Sequence, residues 1–208
     1  MKFHSVLLCF LVSLSVGSVK AANPEQNLAD LMSPAAKISA NFSQKLFDAD
    51  GFEMDSSSGL FSVARPKQIL WHTIEPLEQK VVSNGKVVWI YDPDLAQVII
   101  EPAERILSGS PIALFSGNLS DIQRHYAVAE EYRANTAVFS LVPTSKTSLF
   151  KEITIVFVDG VPDSIALTDT LSQKTKIQFG NVNLNPALDD TAFDFVVPAD
   201  VDVINNVR

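Results

Sequence analysis

The sequence predicts a mainly β protein of the α+β class, in which antiparallel strands form one large curled sheet or barrel. Through most of the chain, short segments alternate apolar and polar residues with the period of two that strands show. Asn84-Gly85 and Asp159-Gly160 stand between such segments, and both pairs favour tight hairpin turns. About ten or eleven short strands with interspersed helices are therefore expected, which is typical of a curled sheet with helical insertions.

The first residues have the pattern of a cleaved secretory signal. Lys2 provides a basic start, residues 5–16 are apolar but too few to span a bilayer, and cleavage is expected after Ala21 or Ala22. We therefore expect residues 1–21 to be removed and residues 22–208 to fold as a single domain. Cys9 is the one cysteine and lies in this signal, so we expect no disulfide and no lipid-acceptor cysteine in the rest of the chain. Export without disulfides favours the bacterial periplasm.

The charge balance excludes some classes of partner. The chain has 16 basic and 24 acidic residues, for a net charge of −8. Two of the basic residues, Lys2 and Lys20, fall in the signal, so the remainder is more acidic still. Such a surface disfavours nucleic acid and anionic lipid, and it favours positively charged partner surfaces.

The chain after the signal begins with a helix and a strand. A cap, a proline and an acid at residues 23–25 begin a short amphipathic helix, which Pro34 ends. From Lys37 to Leu46 the alternation predicts a strand with one solvated face. Residues 48–58 are polar and contain glycine, which predicts a loop.

Residues 59–72 predict two strands separated by Pro66, and Arg65 is the unusual residue of this stretch. Its side chain falls in line with an apolar face of the first strand. Arg65 is therefore either a strand-end residue turned to water or a polar group placed beside an apolar surface. The apolar residues that share faces in these two strands are Phe61, Val63, Ile69 and Trp71.

A helix beginning at Ser110 is the most apolar short segment of the chain. Ser110 is a cap, proline takes the first helical position, and Gly117 ends the helix. One helical turn that is apolar on nearly all sides is unstable in water, so it must pack on an apolar surface. A helix that covers such a surface can act as a lid, and the residues that we assign to this lid are Pro111, Ile112, Leu114 and Phe115.

The other segments complete the sheet. A capping box at Ser120 predicts a second brief helix, and residues 193–204 predict an edge strand or a wrapping tail. The remaining strands are predicted at residues 80–83, 86–91, 95–100, 126–132, 137–142, 150–158, 164–168 and 174–182.

Residues suited to catalysis are scarce. His72 and His125 are the histidines outside the signal, and no zinc-binding spacing, nucleophile elbow or phosphate-binding glycine loop is present. We therefore expect neither an enzyme nor a metal or cofactor site. The aromatic residues either fill a closed barrel or line a cavity, and a sheet of about eleven strands is wider than side chains alone fill. A carrier of hydrophobic ligands is the function that these features favour.

In its motifs, residues 22–208 resemble the periplasmic outer-membrane lipoprotein carrier family LolA. No single motif is strong, but their order and spacing together are specific. The segments that carry the resemblance are Asn41-Phe42-Ser43-Gln44-Lys45, Gly59 through Arg65-Pro66 to Trp71-His72, Val82 to Lys86, Trp89 to Pro93, Gln97-Val98, Ser110-Pro111, Asp169 to Thr175 and Phe193 to Pro198.

The resemblance implies an unclosed antiparallel β-barrel with an α-helical lid over an apolar cavity for acyl chains. It implies a monomer that accepts lipoproteins from an inner-membrane ABC-transporter release complex and delivers them to an outer-membrane lipoprotein receptor. Arg65 matches the arginine that holds the lid closed through lid carbonyls, which we call the lid latch. The residues that we assign to the cavity wall are Phe42, Phe61, Val63, Ile69, Trp71 and Trp89.

Two alternatives remain at this point. A module of the same fold could sense lipid and signal instead of carrying it. A small periplasmic hydrolase could use His72 or His125. The lipidated receptor that shares the fold is disfavoured, because the chain lacks an acceptor cysteine after the signal.

Overall fold

The computed structural model describes residues 23–107, 114 and 119–207. The predicted signal and three of the four predicted lid residues (Pro111, Ile112 and Phe115) lie outside the described residues. In chain order the helices and strands are α1 (Pro24–Met32), β1 (Lys37–Phe47), β2 (Glu53–Ala64), β3 (Gln68–Glu75), β4 (Gln79–Asn84), β5 (Val87–Asp92), β6 (Gln97–Pro102), α2 (Ala103–Leu107), α3 (Leu119–His125), β7 (Tyr126–Arg133), β8 (Thr136–Pro143), β9 (Phe150–Val158), β10 (Val161–Asp169), β11 (Lys174–Leu184), a 3-10 helix (Asp190–Phe193) and β12 (Asp202–Asn205).

The described strands form a single sheet of 12 in the order β12-β6-β5-β4-β3-β2-β1-β11-β10-β9-β8-β7. The two edge strands, β12 and β7, are not paired with each other, so the sheet is unclosed, as predicted. One pair departs from the antiparallel expectation, because β12 runs parallel to β6. The chain after β11 returns by a long connection before it reaches that edge, which permits a parallel pairing.

The hairpin connections divide between two ends of the sheet. The turns β2–β3, β4–β5, β7–β8 and β9–β10 lie at the end where Arg65 stands, which we call the Arg65 end. The connections β1–β2, β3–β4, β5–β6, β8–β9 and β10–β11 lie at the opposite end, which we call the far end. The predicted Asn84-Gly85 and Asp159-Gly160 turns are both present, and both glycines have positive φ.

One face of the sheet carries the main core, and we call it the concave face; the opposite face is the convex face. α1 packs on this face, where its residues Leu28, Ala29 and Met32 are buried. The helix begins at Asn23, whose side chain accepts a hydrogen bond from the backbone N–H of Gln26 at 3.1 Å. Because α1 has only nine residues, packing rather than intrinsic helix propensity must hold it in place.

A second, smaller cluster lies on the convex face under the C-terminal tail. The 3-10 helix contacts β3 and β4, and Phe193 is fully buried there. The ring of Phe195 lies 5.4 Å from that of Tyr91, measured between centroids. The tail therefore both wraps the convex face and supplies the edge strand β12, which combines the two outcomes that the sequence left open.

Candidate functional site

An aromatic cluster occupies the concave face where β1, β2 and β3 lie side by side. Phe61 pairs with Trp71, and Val63 pairs with Ile69, across β2 and β3. Directly paired residues share a face, so these four side chains point to the same side. The rings of Phe42 and Trp71 stack with centroids 4.0 Å apart, and Phe61 contacts Trp71 at 5.6 Å. The structure thus brings together five of the six residues that we assigned to the cavity wall.

Gly59 makes the Phe42–Trp71 stack possible. Phe42 on β1 pairs with Gly59 on β2, so the ring of Phe42 reaches Trp71 on β3 across a position without a side chain. A Cβ at Gly59 would overlap the carbonyl oxygen of His72 and lie 2.9 Å from Phe42 Cε1. No role was predicted for Gly59 from the sequence, although a glycine inside an alternating strand is a signal of close approach.

The described side-chain hydrogen bonds of Arg65 are with the C-terminal end of α1, whereas the lid was predicted in the helix that begins at Ser110. Arg65 Nη2 donates to the carbonyl oxygen of Met32, and its Nη1 donates to that of Ser33 at 3.4 Å. The last carbonyls of a helix have no partner within the helix, and they carry the negative end of its dipole. α1 has no basic residue in its last turn, so Arg65 supplies from the sheet the cation that the helix lacks.

Only some of the N–H groups of the Arg65 guanidinium have hydrogen-bond partners. It is half-buried, and burial lowers the pKa of Arg65 from its ordinary value. Among the residues that the structure describes, Arg65 Nε is buried without a hydrogen-bond partner. A buried donor without a partner weakens the net gain from the other contacts. This contact can therefore be broken at lower cost than a fully satisfied one.

The other end of α1 is tied to the sheet edge. Asn27 Nδ2 donates to both carboxylate oxygens of Glu130 on β7, at 2.9 and 2.8 Å. Glu130 pairs with Phe139 and so points to the concave side. α1 thus spans the open side of the sheet, from the β2–β3 turn to the edge strand β7. This pair was not predicted from the sequence, because no local pattern links residues 103 positions apart.

The assignment of Trp89 to the cavity wall is wrong. Trp89 pairs with Val82 on β4 and with Ile100 on β6, and the register of these strands is regular. Val81 and Ile90 share the face of Trp71, so Trp89 lies on the opposite, convex face. Trp89 was predicted by residue type, and the apolar run from Val87 to Tyr91 allowed either face.

One of the four predicted lid residues falls within the described part of the chain. Leu114 is buried and belongs to the core cluster of the concave face. α3 follows as the second predicted helix, and its Ile122 is buried in the same cluster. In this arrangement apolar side chains cover the concave face.

A carboxylate is buried on the same side at the Arg65 end. Glu101 pairs with Val88 across β5 and β6, which places it on the concave face. Its oxygens meet Arg105 Nη1 at 3.1 Å and Asn206 Nδ2 at 2.7 Å. A buried charge needs such partners to be tolerated. Glu101 therefore fixes α2, through Arg105, and the chain after β12, through Asn206, to the end of β6.

The two histidines occupy different surroundings. His72 lies on the convex face with its Nε2 at 2.9 Å from Glu78 Oε1. Hydrogen bonds from Lys80 and then from His72 lower the pKa of Glu78. His125 ends α3 beside a pocket of about 350 Å³ whose lining contains no carboxylate. Across residues 23–107, 114 and 119–207, no group of three or more metal-binding side chains could hold a metal ion.

No described helix has the length and apolar character needed to cross a membrane.

Comparison with known proteins identifies the family of this chain and agrees with its fold. The family described as "Outer membrane lipoprotein carrier protein LolA" matches residues 33–196. A protein of Azotobacter vinelandii named outer-membrane lipoprotein carrier protein is 38% identical over 205 residues, covering 98% of this chain and 99% of its own. A protein of the same name from Pseudomonas paraeruginosa is 36% identical over 199 residues, covering 94% and 96%.

A solved structure of an uncharacterized conserved protein from Thermus thermophilus has the same fold. It superposes with a TM-score of 0.57 at 13% identity and covers 87% of this chain and 98% of its own.

We predict that Gly59→Ala destabilises the protein by about 1–3 kcal/mol, because the added methyl group overpacks the β2–β3 contact and the Phe42 ring. Urea denaturation measures the change in the free energy of unfolding. Gly180→Ala is the matched control, because a Cβ there meets nothing within 4 Å and should leave stability nearly unchanged. Equal stability of the two variants would contradict the role of Gly59.

We predict that a brominated fatty acid quenches the fluorescence of Trp71 and leaves that of Trp89 nearly unchanged, because the two residues face opposite sides of the sheet. The chain has two tryptophans, so Trp89→Phe reports on Trp71 and Trp71→Phe reports on Trp89. Quenching of both residues to the same degree would show that the ligand does not enter by the concave face.

Proposed function

Because the chain belongs to the LolA family of outer membrane lipoprotein carrier proteins, we propose that it carries lipoproteins by enclosing their acyl chains on the concave face of the sheet. The observation that supports this most strongly is the contact of Arg65, just after the strand that carries Phe61 and Val63, with the last carbonyls of α1. A helix held at each end by polar contacts beside an apolar face is suited to open and close.

The proposed cycle has a closed and an open state. In the closed state Arg65 binds the carbonyls of α1, and apolar side chains cover the concave face. Acyl chains enter by displacing α1, together with the predicted lid residues Pro111, Ile112, Leu114 and Phe115, and they contact Phe42, Phe61 and Trp71. Delivery restores the Arg65 contact, which shifts the equilibrium towards release.

The free energies of acyl-chain burial and of hydrogen bonding show why the Arg65 contact is needed. Burial of acyl chains is worth roughly 0.8 kcal/mol for each methylene, so full enclosure of several chains would prevent release. A charge-assisted hydrogen bond is worth about 1.5–3 kcal/mol, and Arg65 falls at the low end because it is only half-buried. The closed state therefore offsets part of the gain from lipid burial without abolishing binding.

We place this activity in the periplasm, between two membranes. The predicted signal and the family support export. The lipoproteins would come from an inner-membrane ABC-transporter release complex and pass to an outer-membrane lipoprotein receptor. The acidic chain suits transient contact with basic surfaces on both of these partners. The role is that of a transport chaperone, and no catalytic step is proposed.

The experiment that tests this function is the release of a lipoprotein from inner-membrane vesicles. The purified chain should recover the lipoprotein in the soluble fraction as a complex of the two proteins. A soluble fraction that contains the carrier and no lipoprotein would contradict the proposal.

We predict that Arg65→Leu still binds lipoprotein but transfers it to outer-membrane receptor about tenfold more slowly or worse. Loss of about 1.5 kcal/mol from the closed state corresponds to a factor of about ten. The measurement is the rate at which preloaded lipoprotein moves from carrier to immobilised receptor. Lys67→Met, which removes an exposed charge two residues away, is the control and should transfer normally. Normal transfer by Arg65→Leu would eliminate the latch.

A further inference from the structure

The far end of the sheet presents one exposed apolar residue in each of its five connections. These residues are Phe52, Leu77, Leu95, Leu149 and Leu171, which are between 67% and 74% exposed. The four turns at the Arg65 end instead carry residues such as Lys67, Lys86, Asn135 and Gly160, and none of those turns contains an exposed large apolar residue. The two ends of the sheet therefore differ consistently in surface chemistry.

The topology sets these five residues along one rim. The strand order places Leu95, Leu77, Phe52, Leu171 and Leu149 in successive hairpins from one side of the sheet to the other. Successive hairpins are two strands apart, so the tips stand about 10 Å from one another along the sheet. We call these five residues the apolar rim.

Three of the rim residues are held by their own turns. Asp48 Oδ1 accepts a hydrogen bond from the backbone N–H of Phe52 at 2.9 Å, and Asp169 Oδ1 accepts one from that of Leu171 at 2.8 Å. Asp92 Oδ1 does the same for the N–H of Leu95 at 3.0 Å. A backbone donor that is already satisfied costs less to move out of water than a free one. The turns thus hold these three apolar side chains in place, and the hydrogen-bonded N–H groups lower the cost of moving the turns out of water.

We propose that the apolar rim docks the protein on the surface of a zwitterionic lipid bilayer. Protein interfaces need a contiguous, closely packed apolar centre, and side chains about 10 Å apart do not provide one. A bilayer interface accepts separate apolar side chains, because lipid rearranges around each of them. Single exposed apolar residues are ordinary on a protein surface, so it is the presence of one in every connection at this end, and in no turn at the Arg65 end, that marks an interaction site.

The charges at the rim select the kind of bilayer. The five connecting segments hold four carboxylates, on Asp48, Asp50, Glu78 and Asp94, against the single ammonium of Lys146. Anionic lipid would repel this rim, whereas zwitterionic headgroups present ammonium groups to it. The contact is accordingly weak and reversible, as the proposed carrier function requires, although the docking itself does not depend on that function.

The test is flotation of the exported chain with phosphatidylcholine vesicles, with and without added phosphatidylglycerol. The wild type should float with the zwitterionic vesicles and less with the anionic ones. The combined variant Phe52→Ser, Leu149→Ser and Leu171→Ser should lose about tenfold or more of this binding. The matched control changes three exposed apolar residues outside the rim, as Leu60→Ser, Val196→Ser and Val203→Ser, and should float as the wild type does.

The location of the contact is tested separately with an environment-sensitive fluorophore. The emission of a label on Leu171→Cys should shift to shorter wavelength when vesicles are added, and that of a label on Lys67→Cys at the Arg65 end should not.

A wild type that fails to float, a rim variant that floats normally, or an emission shift confined to Lys67→Cys would each overturn the proposal. So would a rim variant that turns a sedimenting dimer into a monomer without changing flotation, since the rim would then join two copies. Normal flotation with no lipoprotein release would contradict the carrier function and leave the docking intact.

Discussion

In the proposed cycle, the closed arrangement depends on the contact between the Arg65 guanidinium and the last carbonyls of α1. α1 is too short to be stable alone, and its C-terminal end has no cation of its own. Arg65 supplies that cation from the turn between β2 and β3, while Asn27 and Glu130 fix the helix to the edge strand β7. Both of these attachments are polar, and the apolar packing of Leu28, Ala29 and Met32 adds to them. In the proposed cycle, acyl chains take the place of this packing when the helix leaves the sheet.

The sheet keeps its two faces for different purposes. On the concave face, Gly59 allows Phe42 and Trp71 to stack, and α1 packs on the same face. On the convex face, the C-terminal tail buries Phe193 and covers β3 and β4. The stability that the tail contributes is independent of whether the concave face is open. A carrier needs this separation, because its binding surface must open while the fold persists.

The sequence predicted the positions of the strands better than the side of the sheet on which each side chain lies. Periodicity and turn pairs located most of the strands, because both signals are local. The unclosed sheet was implied by the family resemblance, and residues 53–58, predicted as a loop because they are polar, form the first half of β2. Trp89 was misassigned, since an apolar run such as Val87 to Tyr91 does not tell which side faces the helices. The Asn27–Glu130 pair and the parallel partner of β12 join residues far apart in the chain, and no local pattern encodes them. Arg65 was identified through family resemblance, and its partners in α1 became visible only in three dimensions.

The movement of α1 is the direct test of the account, and a distance between two spin labels measures it. One label replaces Asp30 on the exposed side of α1, and the other replaces Lys86 in the β4–β5 turn at the Arg65 end. The account predicts a single short distance in the free protein and a longer, broader distribution once a lipoprotein is bound. It also predicts that Arg65→Leu shows the longer distribution without cargo. An unchanged distance in the loaded carrier would contradict the account, because acyl chains would then bind without displacing the helix.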